Sequence, residues 1–121
     1  MEHGLKIYVL IRTDLAIPTG KLAVQAMHAA LGVYQKCTEE FPDLAKAYRE
    51  TPLQYKICLD AKNLHVIERA ERECNDKNIP TFLVQDAGLT VFSEPTITAL
   101  AIGPIEREKL PRYVQGLQLM R

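Results

Sequence analysis

The chain carries no surplus of charge. Fifteen Lys and Arg are matched by fifteen Asp and Glu over 121 residues, so the field of the whole molecule supplies no general attraction to nucleic acid. Nor is there an apolar run approaching the roughly 20 residues of a membrane span, or a basic start leading into an apolar segment as in a secretory leader; a soluble, unexported, cytoplasmic protein with no membrane partner is expected. Cysteine is scarce and scattered. Cys37, Cys58 and Cys74 form no Cys-x-x-Cys pair and have no histidine at ligand spacing, which argues against a disulfide framework and against a zinc cage that needs about four ligands. All three are expected to be reduced thiols packed as small hydrophobes. No Gly-x-Ser-x-Gly elbow, Walker loop or His-Glu-x-x-His helix occurs, so none of those three chemistries is indicated, and neither a metal nor a cofactor is expected. No repeat, linker or low-complexity tract divides the chain, whose length suits one domain, residues 1–121, with a single core.

What the sequence does contain is an alternation of strand and helix patterns. "KIYVLIR" (Lys6 to Arg12) is rich in β-branched and aromatic residues and too short for a buried helix, so it reads as a strand covered on both faces. "TDLAIPTG" supplies loop chemistry. A helix follows over residues 21–36, then a second, amphipathic one from near Pro42, with Phe41, Leu44 and Tyr48 as its buried stripe. "LQYKICLD" alternates Tyr55, Ile57 and Leu59 with polar neighbours and reads as a strand with one drier face. Residues 62–77 make a surface helix on Leu64, Ile67 and Ala70; "TFLVQDAG" and "TITALAIGP" are two more strands; "IEREKLPRYVQG" is a last helix with Pro111 in its opening turns. Strands separated by helices predict a layered α/β domain. The two strands between 81 and 102 are joined too closely for a crossover helix, so they should be antiparallel and the sheet mixed.

The helix over 21–36 is the most unusual element. Wound at about 100° per residue, it gathers Lys21, Gln25, His28, Gly32, Gln35 and Lys36 into one band. Leu22, Ala26, Ala29 and Val33 make an apolar stripe and Ala23, Met27, Ala30 and Tyr34 a second, so burial on two sides is expected, with the polar band as the side left exposed. Against that plain reading stands Lys21. A lysine in the first turn faces the positive end of the helix dipole, unfavourable by about 0.3–1 kcal/mol, and an anion would relieve it. In open α/β sheets the carboxyl ends of parallel strands share an edge with the amino ends of the following helices. Arg12, Thr13 and Asp14 leave the first strand there. If "TFLVQD" runs the same way, Asp86 reaches that edge too, either as part of an ordinary turn with Gly88 or as a carboxylate at the lip of a site.

Taken together, "VLIRTDL", "GKLAVQAMHAALG", "DAGLT", "TITALAIGP" and the terminal "GLQLM" occur in an order and spacing that resembles the second, archaeal and eukaryotic, class of peptidyl-tRNA hydrolases, from about Lys6 to Met120. The resemblance implies a three-layer α/β/α fold around a mixed four-stranded sheet, metal-free hydrolysis of the ester between peptide and tRNA, and peptidyl-tRNA as partner. It places Lys21, Gln25, His28, Asp86, Thr90 and Thr98 among the site residues. In the mechanism it suggests, Asp86 orients Lys21 and a water, and Lys21 acts electrostatically on the oxyanion. Gln25 and His28 position ribose or peptide, while Thr90 and Thr98 bond phosphate or sugar oxygens.

The chain departs from the family pattern at Thr19, where a lysine is usual, at Leu89 and Val91, where Arg and Gln are usual, and at Glu94-Pro95 in place of Pro-Gly. Fewer cations imply weaker phosphate contact, which leaves two alternatives: tRNA held by other bases, Arg12, Lys36 and Arg112 among them, or a divergent member that hydrolyses another acyl ester or amide, or only binds. Apolar Val91 and Phe92 leave room for a homodimer.

Overall fold

The computed structural model describes residues 4–89 and 92–121. Its elements run β1 (Leu5–Ile11), α1 (Thr19–Glu40), α2 (Pro42–Arg49), β2 (Lys56–Asp60), α3 (Leu64–Asp76), β3 (Thr81–Asp86), β4 (Thr96–Glu106), one 3-10 turn at Arg107–Lys109, and α4 (Arg112–Gln115). The strands form one sheet in the order β2-β1-β4-β3. β1 and β2 are parallel, and β4 lies antiparallel to both β1 and β3. The sheet is therefore mixed, and β3 points the same way as β1, as the edge-site argument requires.

Alternation along β1 builds the layers. Ile7, Val9 and Ile11 pack with Ala29 and Val33 of α1 and Tyr48 of α2, while Tyr8 and Leu10 pack with Ile67 and Ala70 of α3 and Val114 of α4. A strand with both faces covered is what its unbroken apolar run predicted, and the architecture is the expected α/β/α sandwich. β2 begins at Lys56, later than the sequence suggested, because Gln54 adopts φ 48° and so leaves extended geometry. Its outer edge is closed by the C-terminal segment: Asp60 donates to Gln118 O at 2.8 Å and Met120 to Cys58 O at 3.0 Å. Instead of one helix over 105–116, Ile105 and Glu106 extend β4, and Pro111, which has no N–H to give, caps α4.

α1 departs most from expectation. Its first stripe is buried, with Ala29 and Val33 fully inaccessible, but its second is not: Met27 is 61% exposed, Leu31 beside it 59%, and Ala23 is exposed. That side opens on a groove of about 530 Å³ over β1 and β2, reaching Tyr48, Lys56 and Cys58. Cys58 is accordingly exposed, whereas Cys37 and Cys74 are buried as expected. Of the polar band, Gln25 turns inward at 5% exposure and Lys21 is half-buried, while His28 and Gln35 stay exposed. The helix packs its upper half by hydrogen bonding, and leaves apolar surface to solvent. Gly32 allows β3 to approach on this side: a Cβ there would stand 2.3 Å from Phe82 Cε2.

Candidate active site

Period-two geometry on β3 turns Phe82, Val84 and Asp86 toward α1. At the strand's end Asp86 meets the first turn of α1, and Lys21 Nζ lies 2.6 Å from Asp86 Oδ1. The side chains of this pair are 16% and 9% exposed, so the contact is sheltered but reaches solvent. The other carboxylate oxygen, Oδ2, accepts the Gly88 N–H at 2.9 Å. Gly88 has φ 82° and its Cα sits so close to Glu94 that a Cβ would meet backbone at 2.6 Å. Both sequence readings of Asp-Ala-Gly are thus realised together, a tight turn and a carboxylate at the lip. The Lys21 hydrogen bond, then the Gly88 N–H, holds the Asp86 carboxyl below the ordinary carboxylate range. The aspartate also supplies the anion that the dipole argument demanded for Lys21.

Behind this pair lies a second, dry one. Thr98 Oγ1 donates to Gln25 Oε1 at 2.6 Å, with Thr98 wholly buried. A β-bulge makes the contact. Val84 opposes Ala99 but Gln85 opposes Ile97, so Thr98 is the extra residue on β4. Ile97 consequently packs on the α3 side while Thr98 and Ala99 both face α1. The Thr98 hydroxyl is thus directed inward, onto Gln25 one turn above Lys21.

The remaining expected residues are not gathered here. His28 is exposed and opens on a separate depression with Gln35, Phe82 and Gln85. Arg12 lines an open cleft of about 620 Å³ with Phe92, Glu94 and Thr96, but its guanidinium is bound to Asp14 at 3.1 and 2.8 Å and to Ile97 O at 3.1 Å. The same guanidinium lowers the Asp14 carboxyl, chiefly by hydrogen bonding. Lys36 donates to Thr81 O at 2.9 Å, at the end of β3 away from Asp86. Arg112 belongs to α4, on the opposite face of the sheet. Thr19 is exposed, Leu89 is 86% exposed, and Thr90 and Val91 lie outside the described residues. Sequence reasoning missed Phe92 as a site neighbour: its ring centroid stands 5.9 Å from Lys21 Nζ. Its place as the single aromatic between Asp86 and Thr96 was the available signal.

Among the described residues no three His, Cys, Asp or Glu side chains stand close enough to hold a metal ion, and no helix is long and apolar enough to cross a membrane. The profile of the family described as peptidyl-tRNA hydrolase PTH2 matches residues 5–120. A peptidyl-tRNA hydrolase of Methanopyrus kandleri is 34% identical over 116 residues, covering 96% of this chain and 98% of the relative. One from Thermococcus onnurineus is 35% identical over 115 residues, 95% and 97% respectively. A probable peptidyl-tRNA hydrolase 2 of Schizosaccharomyces pombe is 33% identical over 103 residues, 85% of this chain and half of that longer protein. A sheltered lysine–aspartate pair at the strand-helix edge and a match over nearly the whole length agree: the chain belongs to the peptidyl-tRNA hydrolase PTH2 family of hydrolases.

Proposed function

We propose that this chain hydrolyses the ester joining a peptide to the terminal ribose of tRNA, by a metal-free route in which Lys21 and Asp86 act on water and carbonyl. The observation that carries the reading is the Lys21–Asp86 contact of 2.6 Å, sheltered yet reaching solvent, with the Phe92 ring beside it. A carboxylate has about four lone-pair sites, so Asp86, already bonded to Lys21 and Gly88, can still accept from a water. That water attacks the ester carbonyl as Asp86 receives its proton; Lys21 Nζ stabilises the developing oxyanion. Collapse breaks the bond to the ribose oxygen, which takes the proton from Asp86 and leaves as a hydroxyl. Gln25, held by Thr98, keeps the first turns of α1 in register with this chemistry. His28 positions ribose or peptide, Thr90 bonds a phosphate or sugar oxygen, and Arg12, clamped by Asp14, shapes the neighbouring cleft.

Release of peptide from a model peptidyl-tRNA is the test. Lys21→Ala and Asp86→Asn are each expected to lower turnover by about 10²–10³-fold, the scale of losing one preorganised stabilising group, while the far-UV spectrum stays native. Because Asp86 is held below the ordinary value of 3.8, it stays ionised as pH falls through the usual carboxylate range. Turnover should therefore persist there and fail only at lower pH. Full activity in either variant sinks the mechanism. A second reading, hydrolysis of a smaller acyl ester, is favoured by the engagement of Arg12 and Lys36 in internal contacts. It predicts equal kcat/KM for peptidyl-tRNA and for the same peptide on adenosine alone, with little salt dependence; the first reading predicts a clear preference for tRNA that falls steeply with salt.

A further inference from the structure

On the face of the sheet away from Lys21, a cavity of about 270 Å³ lies between β2, the 3-10 turn, α4 and the C-terminal segment. Ile57, Leu59, Leu110, Val114 and Leu117 give it apolar walls. Four polar side chains line it as well, one of them Gln115, whose amide donates to Leu110 O at 2.9 Å. Tyr8 is 4% exposed, and its buried hydroxyl has no hydrogen-bond partner among the described residues. Lys6 and Arg107 bring cationic side chains to the same cavity. Glu108 is the carboxylate that acts on Tyr8 from nearby, and Arg107 also donates to Gln115 O at 3.2 Å.

A hydroxyl taken out of water without a partner has lost hydration and gained nothing. Such an atom on the wall of a cavity asks for an acceptor. Burial raises the Tyr8 phenol, so it stays protonated and donates. Two cations beside the donor select an anionic acceptor, and the aliphatic walls select a hydrocarbon body behind it. We propose that this cavity binds a small monocarboxylate with a short hydrocarbon chain, its carboxylate received by the Tyr8 hydroxyl together with Lys6 and Arg107, and its chain lying against Ile57, Leu59 and Val114. The site is separate from the Lys21–Asp86 pair: its contacts come from the other face of β1 and β2, the 3-10 turn and α4.

The experiment is a titration of the full-length chain with hexanoate, followed by amide chemical shifts, with 1-hexanol and inorganic phosphate as separate arms. Hexanoate should give saturable shifts at Ile57, Leu59, Val114 and Leu117, and neither hexanol nor phosphate should match its affinity. Tyr8→Phe, which keeps the ring and removes only the hydroxyl, should weaken hexanoate about tenfold, the worth of one charge-assisted hydrogen bond. Arg107→Gln, an exposed change that does not threaten folding, should weaken it similarly. No saturable shift would mean a cavity holding water only and overturns the proposal. So does hexanol or phosphate binding equally well, or undiminished affinity in both variants.

Discussion

The two faces of the sheet treat buried oxygen atoms in opposite ways. Facing α1, the Thr98 hydroxyl and the Gln25 amide bury together and satisfy one another at 2.6 Å. Facing α3, the Tyr8 hydroxyl is buried with no partner among the described residues. A satisfied buried pair rigidifies what it joins, here the first turns of α1 and the bulge of β4 that frame Lys21 and Asp86. An unsatisfied one stores a penalty that something else can relieve. The Lys21–Asp86 edge is thus built for fixed geometry, and the opposite face leaves a donor to be met.

The largest expected effect that sharpens this contrast is on the satisfied face. Thr98→Val removes a hydroxyl at nearly constant shape and leaves Gln25 Oε1 buried without its donor, at a cost of about 1–3 kcal/mol. Urea unfolding measures it. Replacing both partners, Thr98→Val with Gln25→Met, should restore most of the lost stability, since neither polar atom is then stranded. Turnover should stay depressed in the double variant. If it recovered along with stability, the pair would matter only to packing.

Much of this edge was legible in the chain. Lys21 stood out because a cation in a first turn needs an anion, and Asp86 because it ends a strand running with β1; they meet at 2.6 Å. The inward turn of Gln25 was not legible. Thr98 reads as an ordinary strand residue, and only the slip in pairing between Val84 and Gln85 aims it at α1. Periodicity likewise could not tell which apolar stripe of α1 would be covered, because that depends on how far β2 and α2 extend beneath Met27, a tertiary matter. Arg12 shows the opposite limit: its place at the strand end was foreseen, but a local carboxylate, Asp14, claims it first.

A smaller effect tests how closely α1 and β3 must approach on the satisfied face. Alanine in place of glycine within a helix is favourable by about 1 kcal/mol, but a Cβ at residue 32 would fall 2.3 Å from the Phe82 ring, and overpacking of that kind costs about 1–3 kcal/mol. Phe82 is 36% exposed and can swing part of the way outward, which puts the penalty near the middle of that range, about 2 kcal/mol. Gly32→Ala should therefore lower stability by about 1 kcal/mol in the natural chain and raise it by about the same amount beside Phe82→Ala. The reversal of sign is the signature; equal effects in both backgrounds would show that the ring is not the obstacle.

The smallest effect has the opposite sign. Tyr8→Phe deletes a hydroxyl just as Thr98→Val does, but from a position where no partner among the described residues is left behind. The transfer penalty of that oxygen disappears, and the ring keeps its packing against Leu59 and Ile102. Unfolding free energy in ligand-free buffer should rise by up to about 1 kcal/mol, the lower part of the range for an unsatisfied group because an ordered water can recover some of it. Adding hexanoate should then stabilise the natural chain more than the variant, by mass action on the folded state. A loss of stability in buffer alone would show that the hydroxyl is satisfied in solution, and with it the contrast between the two faces would vanish.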